Sequence, residues 1–268
     1  MNRGMTIDLR TAYNDALFER AYRDILEPNF PHVNQLESKA CLRHRLLSGD
    51  HQSEPLTHLL IRGEGVSDPA LARLFGVIVL ELYRESGLGL VTYIATASSA
   101  RRQGIGALLF REAQQLALEF RPDTYVLAEV ANPQVDEDPT NDQISPWKRL
   151  KFFASLGGEI IPIPYVQPPL SPHGGKARSL VLMAFPNGNA IAADRLRLFL
   201  DEFYRSLRVS LPSMDPDFQQ SAAELERLSL GEAPAPSWRQ LANEGGCPLA
   251  RIRQVGPSEA APEERQGE

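Results

Sequence analysis

The sequence predicts a mixed α/β fold in which a largely antiparallel sheet is flanked by helices. Three short segments rich in Val, Ile, Leu, Thr and Tyr follow one another between residues 56 and 97 with only short turns between them. At Gly104 the apolar period changes to that of a helix, and another strand pattern follows Pro122. A strand, a helix and a strand in succession predict one parallel pair joined by a right-handed crossover.

Two helices are expected before the sheet, after a short start at Thr6 to Arg10. Apolar residues recur at helical spacing from Asn14 to Leu26. We expect this helix to end before Pro28, because a residue that precedes proline is steered away from helical angles. A turn-rich link then leads to a second short helix near Leu36 to Leu47.

The centre of the sheet comes next. Leu56 to Arg62, Phe75 to Tyr83 and Leu90 to Ala97 read as strands, and their short connections make them antiparallel neighbours. Gly104 to Phe120 reads as an amphipathic helix, since its apolar residues recur every three or four positions. Tyr125 to Val130 reads as a fourth central strand.

Another helix and two more strands complete the predicted domain. Pro146 to Leu156 reads as a helix with Ser145 at the N-cap and Gly157 past its end. Ile160 to Val166 and Ser179 to Phe185 read as strands that a loop rich in proline and glycine connects.

The character of the chain changes after residue 187. Ile191 to Arg208 reads as an amphipathic helix that packs on the domain or recruits a partner. Beyond it the composition is rich in Pro, Glu and Ser, which predicts a largely flexible tail with a short helix near Ala222 to Leu228. The predicted parts are a domain over 1–187, the helix within 188–209 and the tail over 210–268.

Composition restricts the class of protein and its partners. The chain has 268 residues, 43% of them hydrophobic, and a formal net charge of -6. That charge argues against a nucleic-acid binder and weakly favours a cationic or amine-bearing partner. Cys41 and Cys247 are far apart and form no zinc or disulfide pattern, so a reduced compartment is expected. No apolar leader or membrane-length segment is seen, so we expect a cytoplasmic protein without a membrane partner.

The stretch ARRQGIG, residues 100 to 106, is the strongest local signal. The first amides of a helix lack internal partners and attract anions, and the glycines would let a phosphate approach the backbone. Arg101 and Arg102 add positive charge. The alternative is a basic helix start whose glycines only permit close packing. The stretch matches neither the Walker phosphate loop nor the G-x-G-x-x-G pattern.

In this setting Arg101 to Gly106 resembles the Q/R-x-x-G-x-G/A motif of the GNAT family of N-acetyltransferases, within the acyl-CoA N-acyltransferase superfamily. The order of elements strengthens the resemblance. A strand ending in AEVANP follows the motif, and then a helix ending in FFASLGG, which is similar to the end of the family's fourth motif. The resemblance covers roughly Thr6 to Phe185.

The resemblance implies acetyl-CoA or another acyl-CoA as co-substrate, with no metal. The cofactor would lie where the strands at 90–97 and 125–130 splay apart, and its pantetheine arm would pair with the backbone of Ile94, Ala95 and Thr96. One of these N–H groups could also stabilise the oxyanion. The diphosphate would contact the helix start, through Arg101, Arg102, Gln103, Gly104, Ile105, Gly106 and Ala107.

Acyl transfer to an amine needs a base, and Glu129 is the first candidate. On strand alternation it shares a face with Tyr125 and Leu127, and it is similar to a glutamate that serves some GNAT ribosomal-protein acetyltransferases. The alternatives are a strand-end carboxylate bonded to neighbouring amides, Glu81 as a reserve base, and an ordered-water relay.

The acid is less clear from the sequence. The position at which the family often has a tyrosine is Phe153 here, which has no proton to give and would pack against the pantetheine or the core. Tyr165 could supply a hydroxyl, although a partly buried tyrosine with one hydrogen bond is the favoured interpretation. Asn132 fits an asparagine that contacts the cofactor, but Asn-Pro is also an ordinary turn opener.

Other polar groups are interpreted more simply. Asp136, Glu137, Asp138 and Asp142 read as a solvated loop, or alternatively as a lip that attracts a cationic acceptor. The histidines, His32, His44, His51, His58 and His173, show no metal-ligand spacing. Cys41 has no neighbouring base in the sequence, so no acyl-enzyme is expected.

Two functions therefore remain at the level of sequence. The first is an enzyme that transfers an acyl group from acyl-CoA to a primary amine in a ternary complex. The second is a catalytically weak, GNAT-like module that binds acyl-CoA and regulates a partner. The family resemblance implies that the acceptor is shaped by the first two helices and the loop between the last two strands, here Leu26 to Leu47 and Gln167 to Arg178, with Phe30, Tyr165 and Gln167 as candidate contacts. No nucleic acid partner is expected, and the helix at 191–208 could support a homodimer.

Overall fold

The chain folds around a seven-stranded sheet, which confirms the predicted mixed α/β class. The computed structural model describes residues 4–31, 35–48, 54–135, 144–171, 173–186 and 188–254. The seven strands are β1 Met5–Asp8, β2 Leu56–Glu64, β3 Arg73–Leu82, β4 Gly89–Thr96, β5 Val126–Ala131, β6 Glu159–Ile160 and β7 Leu180–Phe185. Their order is β1-β2-β3-β4-β5-β7-β6, and every neighbouring pair is antiparallel except β4 and β5.

The parallel pair β4 and β5 opens part of the way along its length. The two strands pair only from Gly89 to Val91 on β4, and no pairing follows Val91. At the same point β4 has a bulge against β3, because Val91 pairs with Leu80 and Tyr93 with Val79 while Thr92 has no partner. A bulge bends its strand and increases the local twist. The splay that the family resemblance implies is therefore present, and it begins at Thr92.

Helices cover both faces of the sheet. Their bounds are α1 Asp15–Ala21, α2 Glu27–Asn29, α3 Lys39–Leu47, α4 Ile105–Phe120, α5 Pro146–Ser155, α6 Ala193–Ser206, α7 Pro216–Ser229 and α8 Pro236–Gly245. One face packs against α4, α5 and α8, in a core that contains Val126, Ala128 and Val130 of β5. The opposite face packs against α1 and α3 at one end and against α6 and α7 at the other.

The first helix does not end before Pro28. A π-helical segment, Tyr22–Leu26, follows α1 and leads directly into α2, which contains Pro28. In the π-helical turn the Glu27 N–H bonds to the Tyr22 carbonyl, five residues back. The prediction of an end before Pro28 was therefore wrong. The wider turn accommodates the proline ring, which in a regular α-helix would clash with the preceding turn.

The predicted strand from Ile160 to Val166 is mostly irregular. Regular pairing ends with β6 at Ile160, and the next turns are tight: Ile163 N–H bonds to the Ile161 carbonyl and Tyr165 N–H to the Ile163 carbonyl. Pro162 and Pro164 lack the N–H that a strand ladder needs. This segment passes over the sheet and delivers Tyr165 to the side of β5 where Glu129 lies.

The predicted flexible tail is a packed layer as far as residue 254. Helices α7 and α8 lie in it, and they bury Phe218, Leu225 and Leu241. A short strand β9, Ile252–Arg253, pairs in parallel with β8, Ile191–Ala192, just before α6. The predicted short helix near Ala222 to Leu228 lies within α7, and residues 255–268 lie outside the described residues.

The apolar side of α6 is covered within the chain. Leu196, Phe199, Leu200 and Phe203 are buried in one cluster with Tyr83, Leu90 and Leu127 of the domain. This helix therefore gives no support to the homodimer, which stays a prediction. Among the helices of the described ranges, none combines the length and the apolar character that crossing a bilayer requires.

Candidate functional site

The start of α4 has no side-chain cap, and its role in binding a diphosphate stays a prediction. Gly104 is the N-cap residue, has φ of +77° in the left-handed region, and leaves α4 without a side-chain cap. A Cβ at Gly104 would meet no other heavy atom within 4 Å, so open space lies in front of this residue. Uncapped amides at the positive end of a helix, here one of 16 residues, are groups to which anions commonly bind.

The side chains of the motif line the rim of this helix start. Arg102 and Gln103 are exposed, whereas Ile105 is buried in the core beneath the helix. Arg101 Nη2 donates to Asn29 Oδ1 at 3.0 Å, which ties the motif to α2. At Gly106 a Cβ would lie 3.4 Å from Phe152 on α5, an ordinary contact distance, so packing alone does not require glycine here. Ala107 is half-buried.

The predicted pantetheine edge lies on β4 beyond the bulge. Ile94, Ala95 and Thr96 pair with β3 on one side. On the other side β5 has already separated, since the last pair of the two strands is Val91 with Ala128. Within the described residues this edge of β4 has no paired strand, and an extended chain could add to it.

Two cavities meet at Glu129. A smaller one of about 100 Å³ lies in the opening between β4 and β5 and is lined by Val91, Ile94, Val130 and Phe153 among others. A larger one of about 270 Å³ lies beside it towards α3 and the loop at 167–180. Both are lined by Phe30, Thr92, Glu129, Ala131 and Arg149. The hydroxyl of Thr92 is buried with no hydrogen-bond partner, so this shared wall presents an unused polar atom.

Glu129 is held by two side-chain hydrogen bonds and has a raised pKa. Tyr165 donates its hydroxyl to Oε1 at 2.5 Å, and Gln167 Nε2 donates to Oε2 at 2.9 Å. The pKa of Glu129 is raised to about 7. Burial is the main cause, and the two hydrogen bonds act in the opposite direction by lowering the pKa. A carboxyl group with a pKa near neutrality is suited to accept a proton at physiological pH. The alternative of a carboxylate bonded to neighbouring amides is not what the structure shows.

Tyr165 is a buried residue with one hydrogen bond, the role favoured from the sequence, and Phe153 packs in the core. Tyr165 is 3% exposed, and its hydroxyl proton is directed at Glu129. Phe153 is buried, packs edge-on against Phe110 and also lines the smaller cavity.

Asn132 accepts a hydrogen bond from the Gln134 N–H at 3.0 Å, which closes the turn that its sequence predicts. Its contact with a cofactor stays a prediction.

Glu81, the reserve base, is committed to an ion-pair cluster. It is 2% exposed, pairs with Arg45 and accepts the Tyr83 hydroxyl at 2.7 Å. Arg45 also pairs with Glu37 at 2.8 Å between Nη2 and Oε1. One guanidinium thus serves two buried carboxylates, and burial raises the pKa of Glu37.

Glu37 and Arg45 are site residues that sequence analysis missed. Their local pattern predicts only an acidic residue before a helix and a basic residue in its last turn, which is typical of ordinary helix ends. Two tyrosines fix the backbone of Glu37: Tyr22 donates to its carbonyl at 2.6 Å, and its N–H bonds to the Tyr93 hydroxyl at 3.0 Å. Together these contacts place the Glu37 carboxylate in the wall of the larger cavity.

Several other residues considered in the sequence analysis lie outside the described residues or do not line the two cavities. The acidic run at 136–142 lies outside the described residues, as do His32 and His51. His58 is bonded to Asp8, with 2.8 Å between Nδ1 and Oδ2, and neither residue is among those that line the two cavities. Within the described part of the chain, no three His, Cys, Asp or Glu side chains come together as metal ligands.

Comparisons with known proteins give likenesses of fold only. No family model and no curated protein matches the chain. A GNAT-family protein from Bacteroides thetaiotaomicron is 19% identical, with a TM-score of 0.49 over 78% of this chain and 97% of that one. An aminoglycoside 6'-N-acetyltransferase complexed with coenzyme A is 14% identical, with a TM-score of 0.45 over 67% and 95% of the two chains. A tandem GNAT protein from clavulanic acid biosynthesis is 18% identical, with a TM-score of 0.47 over 61% and 46%.

Proposed function

We propose that this protein is an N-acyltransferase, most simply an N-acetyltransferase, that moves an acyl group from acyl-CoA to a primary amine by direct attack in a ternary complex. The observation that carries the proposal is the position of Glu129. This carboxyl group, with a pKa of about 7, lies where a cavity between the opened strands meets a second, larger cavity. One cavity suits the acyl donor and the other suits the acceptor.

The residues present fit an acyl-CoA. The uncapped start of α4 offers amides to a diphosphate, with Arg101 and Arg102 beside them. The unpaired edge of β4 at residues 94 to 96 offers backbone groups to a pantetheine arm, and Phe153 supplies an apolar wall near it. Cys41 and Cys247 are both free thiols, which is consistent with an enzyme of the cytoplasm, a reducing compartment.

Bound acyl-CoA would supply a thioester, whose carbonyl carbon forms the new C–N bond as the C–S bond breaks. In its carboxylate form Glu129 accepts one proton from the acceptor ammonium, which yields the neutral amine that attacks, and Tyr165 and Gln167 keep its two oxygens in place. The attacking nitrogen releases its second proton to solvent as the amide forms. Tyr165 does not protonate the leaving sulfur in this arrangement, because its hydrogen is already directed at Glu129. Solvent supplies that proton.

The larger cavity supports an amine as acceptor. The described residues of its wall include three carboxyl groups, Glu37, Glu81 and Glu129, against two guanidinium groups, Arg45 and Arg149. Arg45 is shared by two of the carboxylates, so a cationic ligand would complete the charge balance. The rings of Phe30 and Tyr93, 5.3 Å apart between centroids, add a face that attracts cations.

Turnover can be measured directly. The full chain is incubated with acetyl-CoA and a panel of primary amines, from small diamines to lysine peptides, while free thiol release is followed. We expect release that depends on at least one amine. Binding of acetyl-CoA without release for any amine or acyl donor would contradict the enzyme and favour the binding module.

The pH dependence of the reaction follows from the raised pKa of Glu129. The base must be ionised, so log kcat/KM is expected to rise with unit slope as pH increases and to level off above about 7. A carboxylate with an ordinary pKa would instead leave the rate flat between pH 5.5 and 7.5. A profile over pH 5 to 9 distinguishes the two.

Glu37 is expected to recognise the charge of the acceptor. A Glu37→Gln change keeps the shape of the side chain but removes one negative charge from the cavity, so we expect the acceptor KM to increase by about ten-fold with the acyl-CoA KM unchanged. Initial rates with each substrate varied in turn measure this. An Asp201→Asn change in the α6 pair with Arg205 is the control, since it removes an acidic charge outside the cavity and keeps the side-chain shape.

A further inference from the structure

The C-terminal helices hold the segment that supports Glu129. Tyr165 and Gln167, its two hydrogen-bond partners, lie on the irregular stretch after β6. From the side away from the sheet, Tyr204 of α6 donates to the Val166 carbonyl at 2.9 Å and Ser221 of α7 donates to the Pro164 carbonyl at 3.0 Å. Both contacts are made by residues that follow the predicted domain.

The other arm of the same loop is held by ion pairs with α7. Lys176 Nζ lies 2.7 Å from Asp215 Oδ2 and 2.6 Å from Asp217 Oδ2. Arg178 binds Asp217 through two parallel bonds of 2.7 and 2.9 Å. Asp217 is 7% exposed, so its carboxylate is a buried anchor for two cations on either side of Ala177.

Ala177 transmits this anchorage to the base. Its N–H donates to the Gln167 carbonyl at 2.9 Å, and the Gln167 N–H donates to the Ala177 carbonyl at 3.0 Å. The series of direct contacts is therefore Asp217 to Lys176 and Arg178, across Ala177 to Gln167, and from Gln167 Nε2 to Glu129. Gln167 and Ala177 also line the larger cavity.

We propose that Asp217 is a positioning residue: it fixes the loop at 167–178 so that Gln167 contacts Glu129 and the wall of the acceptor cavity keeps its shape. This inference rests on the proposed function. It assigns α7, the first helix of the C-terminal layer, a role in acceptor binding and in setting the base, rather than in cofactor binding.

The electrostatic consequence has a definite sign. The bond from Gln167 stabilises the ionised form of Glu129 and lowers its pKa. A loosened loop would make that bond less often, so the pKa of Glu129 would increase further. Tyr165, Glu81 and the guanidinium of Arg149 are the other polar groups near this carboxyl, and none of them contacts Asp217 in the described structure.

The test compares two neutralised carboxylates on α7. Asp217→Asn removes the charge that binds the loop, whereas Glu224→Gln removes one that pairs with Arg227 on the same helix. For Asp217→Asn we expect an acceptor KM about five-fold higher and an acidic limb of kcat/KM shifted to higher pH, with an unchanged acyl-CoA KM. Glu224→Gln should match the wild type in all three.

Two further variants keep the test decisive if Asp217→Asn proves unstable. Arg178→Gln changes the exposed partner and should shift the same two quantities in the same direction. Gln167→Ala should shift the acidic limb as well, and adding Asp217→Asn to it should shift that limb little further, because both changes break the one series of contacts that ends at Glu129. Full additivity, or equal changes in both KM values, would overturn the inference. Absence of turnover in the wild type would instead count against the proposed function.

Discussion

Replacing Glu129 with glutamine is expected to lower kcat/KM about 1,000-fold, because the reaction then lacks its general base. The amide has nearly the shape of the carboxylate, and the Tyr165 hydroxyl can still donate to its oxygen at the distance seen here. Binding of acyl-CoA should not change, since residue 129 is proposed to contact the acceptor nitrogen. Steady-state rates and calorimetric titration with coenzyme A measure the two quantities.

A matched control for this change is Glu159→Gln. Glu159 lies on β6, has a pKa that burial also raises, and lines neither cavity. Its turnover should stay near that of the wild type. The pH profile gives a second criterion, because the limb near pH 7 should disappear from the residual rate of Glu129→Gln. If that variant turns over at a rate within about two-fold of the wild type, an ordered-water relay must be the base.

The second large effect is expected at Gly104. Aspartate at this position would place a negative charge in front of the amides that are proposed to bind the diphosphate. Because like charges repel and the side chain competes for the same donors, acyl-CoA affinity should fall at least about 100-fold. Calorimetric titration with coenzyme A gives the affinity.

Gly104→Ala separates this charge effect from backbone strain. Both variants force a side chain into the left-handed region, at a cost of about 1 kcal/mol for alanine, but neither Cβ meets a neighbouring atom. Aspartate tolerates these angles better and its charge favours a helix start, so the aspartate variant should be at least as stable in thermal unfolding. The aspartate variant is therefore expected to bind coenzyme A more weakly than the alanine variant while being at least as stable. Equal affinities would indicate that the helix start binds no anion.

The centre of the fold was predictable because local and tertiary preferences agree there. The helix from Gly104 to Phe120 shows an apolar face at helical spacing, and the structure buries that face on the sheet. Leu90 to Ala97 and Tyr125 to Val130 are short apolar runs between turn signals, and both are central strands. The position where these two strands separate was implied only by the family resemblance, since the bulge at Thr92 has no sequence signal.

The C-terminal layer was misjudged because its prolines indicate disorder when they are read by composition. Pro216 and Pro236 each lie in the first turn of a helix, where the missing N–H costs nothing. Asp215 caps α7 by accepting the amides of Asp217 and Phe218. A reading by position rather than by composition could have found both helices.

The site was predictable only where alternation along one strand determines it. Leu127 and Glu129 do lie on one face of β5, as alternation requires, and this face carries the base. Glu37 lies just before α3, Arg45 in its last turn and Glu81 on β3, and the three side chains meet only through tertiary packing. The same holds for Asp217, whose partners Lys176 and Arg178 are about forty residues away in the chain.

The most direct measurement of the central claim is the structure of the full chain crystallised with coenzyme A. We expect diphosphate oxygens within hydrogen-bond distance of the amides at the start of α4, and a pantetheine arm alongside Ile94, Ala95 and Thr96 that points towards Glu129. A coenzyme bound elsewhere, with the helix start filled by the protein's own side chains, would contradict it.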